Sequence, residues 1–140
     1  MVFDFAVRRL KWFAVLPGAP QIFDAMLLGA TGFFRPARLR AMSEIEAQVR
    51  RWPGMQTGVH RFGGIDFRFR GKEAGHIHGN GLLDCLVGRA NREALVRDGR
   101  ALPHHIFPRS GWVSFLVRNE DDVRPALELI RMAAQRRNAE

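Results

Sequence analysis

Strict alternation of apolar and charged residues over 65–70 constrains the fold of this chain more than any other feature. Such a period-two pattern is typical of a β-strand with one buried and one wet face. Gly71 follows at once, and a second extended segment runs over 72–78. The spacing predicts a β-hairpin closed by a two-residue turn at Arg70 and Gly71.

The length of this turn decides which face the histidines of the second strand occupy. Directly opposed residues of an antiparallel pair lie on the same side of a sheet. With a two-residue turn, the opposed pairs are Phe69 with Lys72, Phe67 with Ala74, and Ile65 with His76. We therefore expect His76 and His78 on the buried face, where desolvation would make both hard to protonate.

The rest of the pattern predicts the fold class. Apolar runs at 82–87 and 112–117 indicate two more strands, and helical spacing over 2–15, 22–34, 45–52, 91–98 and 119–137 indicates helices. Ser43 and Glu46 have the spacing of a capping box, which predicts that the third helix begins there. We expect an α+β fold, an antiparallel β-sheet with helices packed on one face, preceded by N-terminal apolar and amphipathic helices.

The N-terminal helices form a predicted segment of their own, residues 1–40, ahead of an α+β domain at 41–140. This segment carries more apolar side chains than a small core needs: Phe3, Leu10, Trp12, Phe13, Ile22, Phe23, Leu27, Phe33 and Phe34. No apolar run reaches the ~18–20 residues of a membrane span, and no secretory signal is recognised. We expect a cytoplasmic protein whose N-terminal segment contacts the inner face of the membrane peripherally or a second copy in a homodimer.

Charge and cysteine content exclude several functions. The net charge of +8 comes almost entirely from arginines spread along the chain, without the interleaved aromatics of a single-strand binder, so we expect no nucleic-acid partner. The lone Cys85 permits neither an internal disulfide nor a cysteine zinc motif. Because leucines flank it, Cys85 is expected in the core.

Four of the five histidines fall in two doublets beside predicted strands. Histidine is both the side chain that titrates nearest neutral pH and the commonest nitrogen ligand of metals. His76 and His78 share a strand face, whereas the adjacent His104 and His105 point to opposite faces. At most one of the second pair therefore joins the first pair. Local hydrogen bonding by each doublet is the alternative interpretation.

Several separated motifs then occur in a recognisable order: Gly75-His76-Ile77-His78, Glu93-Ala94-Leu95, Pro103-His104-His105, Gly111-Trp112-Val113-Ser114-Phe115 and Arg118-Asn119-Glu120-Asp121. Over residues 64–135 the chain resembles the fungal-luciferase-like family, which includes small bacterial proteins and the luciferases of glowing mushrooms. The resemblance implies oxygenation of a small hydroxylated aromatic or pyrone-type molecule, with O2 as co-substrate and without a cofactor.

Such chemistry needs a base that ionises the substrate inside an apolar pocket. The expected catalytic residues are His76, His78 and His105, and the expected substrate-binding residues are His104, Asp84, Arg109 and Trp112. One alternative is a metal-dependent oxygenase with an ion on His76, His78 and His105, joined by Asp84. Another is a non-catalytic small-molecule-binding or membrane-peripheral module.

Overall fold

A computed structural model describes residues 19–61 and 63–140, and over these residues it contains one six-stranded antiparallel sheet and four α-helices. In chain order the elements are α1 (Ala19–Phe34), α2 (Pro36–Val49), β1 (Met55–Val59), β2 (Ile65–Phe69), β3 (Lys72–Ile77), β4 (Leu82–Leu86), α3 (Arg89–Arg97), β5 (Leu102–Pro103), β6 (Trp112–Leu116), a 3₁₀ turn (Glu120–Asp122) and α4 (Val123–Asn138). The strand order is β1-β2-β3-β4-β6-β5. The predicted α+β class is confirmed, and the helix predicted at 2–15 lies outside the described residues.

The core lies on one face of the sheet, under α2 and α4. Alternate residues of the central strands point to it, in cross-strand rows that include Phe67, Ile77, Leu83, Cys85 and Val113. The helices contribute Ala41, Ile45, Val49, Ala126, Ile130 and Ala133. Removing these side chains from water is the main stabilising term of the fold. Because both helices pack on this one face, the other face of the sheet can carry polar residues.

The turn between β2 and β3 has the predicted length. Phe69 opposes Lys72, so only Arg70 and Gly71 lie between the strands. Their φ angles of 49° and 82° are both positive, which is the pattern of a type I′ hairpin turn. Gly71 adopts such an angle at no steric cost.

Two residues further on, the predicted register is wrong. Phe67 opposes Gly75 instead of Ala74, and Asp66 opposes His76. Ala74 is thus the extra residue of a β-bulge, and one extra residue moves every later side chain of β3 to the opposite face. His76 therefore lies on the face away from the helices and not with Phe67.

The start of α2 also differs from the prediction. Pro36, in the first turn, opens the helix seven residues before Ser43, at a position that proline favours. Ser43 is exposed within the helix and does not begin it. Glu46 does not cap a helix start, because its Oε1 pairs with Nη2 of Arg50 at 2.5 Å. The predicted boundary between residues 40 and 41 falls inside α2.

Helix α1 lies beside α2 and contacts two loops of the sheet domain. Gln21 Nε2 donates to the carbonyl oxygen of Arg61 at 2.8 Å, and the Asp24 carboxylate accepts from the Gly79 amide at 2.6 Å. Its exposed apolar side chains are Ile22, Phe23, Met26, Phe33 and Phe34. Within residues 19–61 and 63–140, no helix combines the length and hydropathy needed to cross a membrane.

Candidate functional site

A polar cross-strand row runs over the face of the sheet opposite the helices. Asp66, His76, Asp84 and Ser114 oppose one another in sequence across β2, β3, β4 and β6. Asp84 stands in the middle of this row and is fully buried. Ser114 Oγ donates to Asp84 Oδ1 at 2.5 Å, which fixes the plane of the carboxylate.

Three imidazoles converge on the other oxygen of Asp84. The Nε2 atoms of His76 and His78 each lie 3.5 Å from Oδ2, and Nε2 of His104 lies 3.6 Å from it. These separations exceed the length of a good hydrogen bond. Among the described residues, Oδ2 has no hydrogen-bond partner although it is buried. The convergence expected from the two doublets is observed, with His104 as its third member.

A second carboxylate holds His76 from the opposite side. Glu73 Oε1 lies 2.8 Å from Nδ1 of His76 and 3.0 Å from Nε2 of His60. The rings of His60 and His76 stack with their centroids 4.1 Å apart. In a regular strand Glu73 and His76, three residues apart, would point to opposite faces. The bulge at Ala74 places both on the same face.

These groups line a cavity of about 390 Å³, within the range of small-molecule sites. The loop after β5, residues 104–107, and Trp112 at the start of β6 form another part of the cavity wall. The lining residues are His60, Arg61, Glu73, His76, His78, Asp84, His104, His105, Ile106, Phe107 and Trp112. The cavity therefore combines a charged floor with an apolar and aromatic side.

Mutual contacts set the charges of the floor. Hydrogen bonds with His60 and His76 hold the pKa of Glu73 far below its usual value. Burial would raise the pKa of Asp84, but the approach of His76 and His78 and the hydrogen bond from Ser114 outweigh burial and lower it. Burial likewise opposes protonation of His76, yet Asp84 and Glu73 raise its pKa to about 9. The expectation that His76 is hard to protonate is thus wrong, because two carboxylates contact it.

His104 differs from its neighbours in its hydrogen bonds. The backbone amides of Ile106 and Phe107 approach its Nδ1 at 3.2 and 3.1 Å, so Nδ1 acts as an acceptor. The neutral ring then carries its proton on Nε2, which faces Asp84. Burial lowers the pKa of His104, which favours this neutral form.

The predicted site residues separate into two groups. His76, His78, His104, His105, Asp84 and Trp112 line the cavity. Arg109 does not: it is exposed, and Arg61 is the arginine of the lining. His105 lies at the cavity wall but His104, stacked on it at 4.6 Å, makes the approach to Asp84. The catalytic and binding roles remain predictions.

Sequence reasoning missed His60, Arg61, Glu73 and Ser114. Ser114 carried a signal, since it is the one polar residue in the run 112–117. Glu73 carried none, because a spacing of three is not a strand spacing. His60 lies in the loop between β1 and β2. Because β1 was not predicted, nothing in the sequence placed this loop beside the other histidines.

In the part of the chain that the structure describes, three groups of side chains have the composition and spacing of metal ligands: His76 with His78 and Asp84, His60 with Glu73 and His76, and Asp84 with His104 and His105. Within each group the ligand atoms lie within 4.8 Å of one another. The groups overlap at His76 and Asp84, so they form one continuous cluster.

Comparison with known proteins finds a similarity over part of the chain. Residues 71–133 match the family model described as Luciferase domain, which confirms the resemblance found in the sequence. The match includes the site from Glu73 to Trp112 and leaves out His60 and Arg61. No curated protein and no solved structure matches the chain.

Proposed function

Since residues 71–133 match the family model described as Luciferase domain, we propose that the chain oxygenates a small hydroxylated aromatic or pyrone-type substrate with O2. The observation that carries the proposal is the buried Asp84 with three histidines around one oxygen, on the floor of an aromatic-lined cavity. Neither feature alone would suggest this chemistry. Together they provide a base, fixed charge and a place for an apolar ring.

The first step of the proposed reaction is ionisation of the substrate. A histidine takes the proton of an enol or phenol, and the electron-rich anion passes one electron to O2. Recombination of the two radicals forms a carbon–oxygen bond, and return of the proton gives a hydroperoxide. The substrate itself supplies the electrons, so an organic cofactor is not needed for electron balance.

We propose His78 or His105 as the base. His78 and His105 line the cavity, and neither has its second ring nitrogen held by Glu73 as His76 has. With no ion bound, His76, between Glu73 and Asp84, is instead suited to face the substrate anion as a positive group. Trp112 and Phe107 are suited to contact the ring of the substrate.

Oxygen consumption tests the proposal directly. The purified protein is mixed with a panel of hydroxylated pyrones and catechols, and O2 uptake is recorded with an electrode. We expect uptake with at least one compound, loss of it in Asp84→Asn, and no loss in the control Arg124→Ala, an exposed position on α4. Binding of a panel compound without O2 uptake would favour the non-catalytic binding module.

The proposal also includes the location of the protein. We propose a cytoplasmic protein that contacts the inner face of the membrane peripherally through α1. Its exposed Ile22, Met26 and Phe33, followed by the basic Arg35, support contact with an anionic surface. A homodimer through the same residues is the competing arrangement.

A further inference from the structure

We propose that His76, His78 and Asp84 form a binding site for one divalent first-row transition-metal ion, with two histidines and one carboxylate as ligands. The proposal goes beyond the oxygenation proposed above and does not depend on it, since an ion can bind whether or not O2 is consumed. The three side chains come from β3, from the residue after it and from β4, next to one another in the sheet.

The state of Asp84 Oδ2 is the first argument. A buried carboxylate oxygen without a hydrogen bond costs free energy, and a cation is one of the few groups that offset this cost. Two ligands about 2.1 Å from one ion, at 90–109° to each other, lie roughly 3.0–3.4 Å apart. The observed 3.5 Å from each Nε2 to Oδ2 is close to this ligand–ligand distance and too long for a good hydrogen bond.

The orientation of His76 is the second argument. Its Nδ1 lies 2.8 Å from the carboxylate of Glu73, which leaves Nε2 turned towards Asp84. Metal-binding histidines almost always donate their other ring N–H to a carboxylate, a carbonyl or water, and this partner fixes the tautomer. Glu73 is itself held by a hydrogen bond with His60, so His60 helps to fix the orientation of His76 through Glu73.

His104 is excluded as a ligand by the same reasoning. Its Nδ1 accepts from two backbone amides, so the proton of the neutral ring is on Nε2 and no lone pair there faces the ion. Its Nε2–H is instead suited to contact Asp84 from the side. Three protein ligands then remain, and the open positions of the ion face the cavity, as in facial-triad oxygenases.

The ion would also decide between the two candidate bases. With the Nε2 lone pair of His78 bound to metal, only His105 remains to take the proton of the substrate. His105 thus serves as a matched control for metal binding, because it is a histidine of the same cavity wall outside the proposed ligand set.

The experiment uses the full chain, freed of metal by a chelator and titrated with Co²⁺. We expect one equivalent to bind, with a visible d–d spectrum and a raised Tm. Asp84→Asn and His78→Ala should weaken binding more than about 100-fold, Glu73→Gln about 10- to 100-fold, and His105→Ala less than about threefold. Asp84→Asn keeps the shape of the side chain and the contact with Ser114, so it remains informative where the alanine variant fails to fold.

Two results would overturn the metal site: no Co²⁺ binding by the wild-type chain, or equal affinity in Asp84→Asn. The oxygen electrode separates this outcome from failure of the proposed function. Co²⁺ binding without O2 uptake leaves the metal site standing and removes the oxygenation. O2 uptake by a chain that binds no Co²⁺ leaves the oxygenation and removes the metal.

Discussion

Gly75 offers a sharp test of how the sheet positions the site. It pairs with Phe67 on one side and Cys85 on the other, on the helix-covered face of β3. A Cβ atom added there would lie 2.5 Å from the Asp84 carbonyl oxygen and 3.1 Å from Cys85 Sγ. Because the nearer atom belongs to the backbone, Gly75→Ala must push β3 and β4 apart.

The magnitude follows from a matched control. Gly58, in β1, also lacks a positive φ, but an added Cβ meets nothing within 4 Å. Replacing glycine by alanine in a strand gains roughly 0.5–1 kcal/mol from the backbone. That gain applies to both variants and cancels in their difference. The clash at Gly75 costs about 1–3 kcal/mol, so Gly75→Ala should be less stable than Gly58→Ala by that amount.

Urea unfolding at constant pH measures both free energies, since the midpoint shifts while the slope stays constant. We expect Gly58→Ala to match or slightly exceed the wild-type chain and Gly75→Ala to fall below it. Gly75→Ala should also weaken Co²⁺ binding, because the displaced backbone carries Asp84. Equal stability of the two variants would refute the close packing of β3 on β4.

Three further predictions concern separate parts of the chain. Hydrogen bonds from the Arg118 side chain lower the pKa of Asp122, and burial, which raises it, does not offset them. The stabilisation by Asp122 is therefore present above its usual pKa of 3.8 and is lost as the pH falls through the lower pKa of the folded state. Asp122→Asn should therefore lose about 1–3 kcal/mol at pH 7 in urea titrations, and this loss should shrink as the pH is lowered below 3.8. Long-range ¹⁵N NMR should find the proton of neutral His104 on Nε2. A proton on Nδ1 would contradict this, since Nε2 would then have a lone pair and His104 could be a metal ligand. The chain should float with anionic liposomes and lose this in Phe33→Ser/Phe34→Ser, whereas a monomer that ignores liposomes contradicts the membrane contact.

The sequence predicted the hairpin but not the face of its histidines. Alternation and glycine identified both strands and the turn, because those signals are local. The bulge at Ala74 is a feature of the pairing between β2 and β3, and the period-two pattern of a single strand does not reveal such an extra residue. One extra residue was enough to move His76 from the predicted core face to the polar face.

Other errors have similar causes. Strand β1 (Met55–Val59) contains Gln56 and Gly58 and has no apolar alternation, so it is recognisable only once β2 provides a partner. The start of α2 was predicted seven residues too far along the chain. The spacing of Ser43 and Glu46 is that of a capping box, but both residues lie inside a helix that begins at Pro36. At the site, strand parity predicted that at most one residue of the second doublet joins the first, and this prediction is wrong. His104 and His105 both line the cavity near Asp84, because they follow β5 (Leu102–Pro103) and lie in a loop to which strand parity does not apply.

The two hydrogen bonds of α1 have a mechanical consequence. One reaches the backbone of Arg61, which lines the cavity, and the other reaches the amide of Gly79, which follows the cavity residue His78. The helix therefore connects two loops next to the cavity, and several of its apolar side chains are exposed. A contact that displaces α1 would disturb both hydrogen bonds at once. Hydrogen exchange at Gly79 would read out the docking of a helix 55 residues away in sequence.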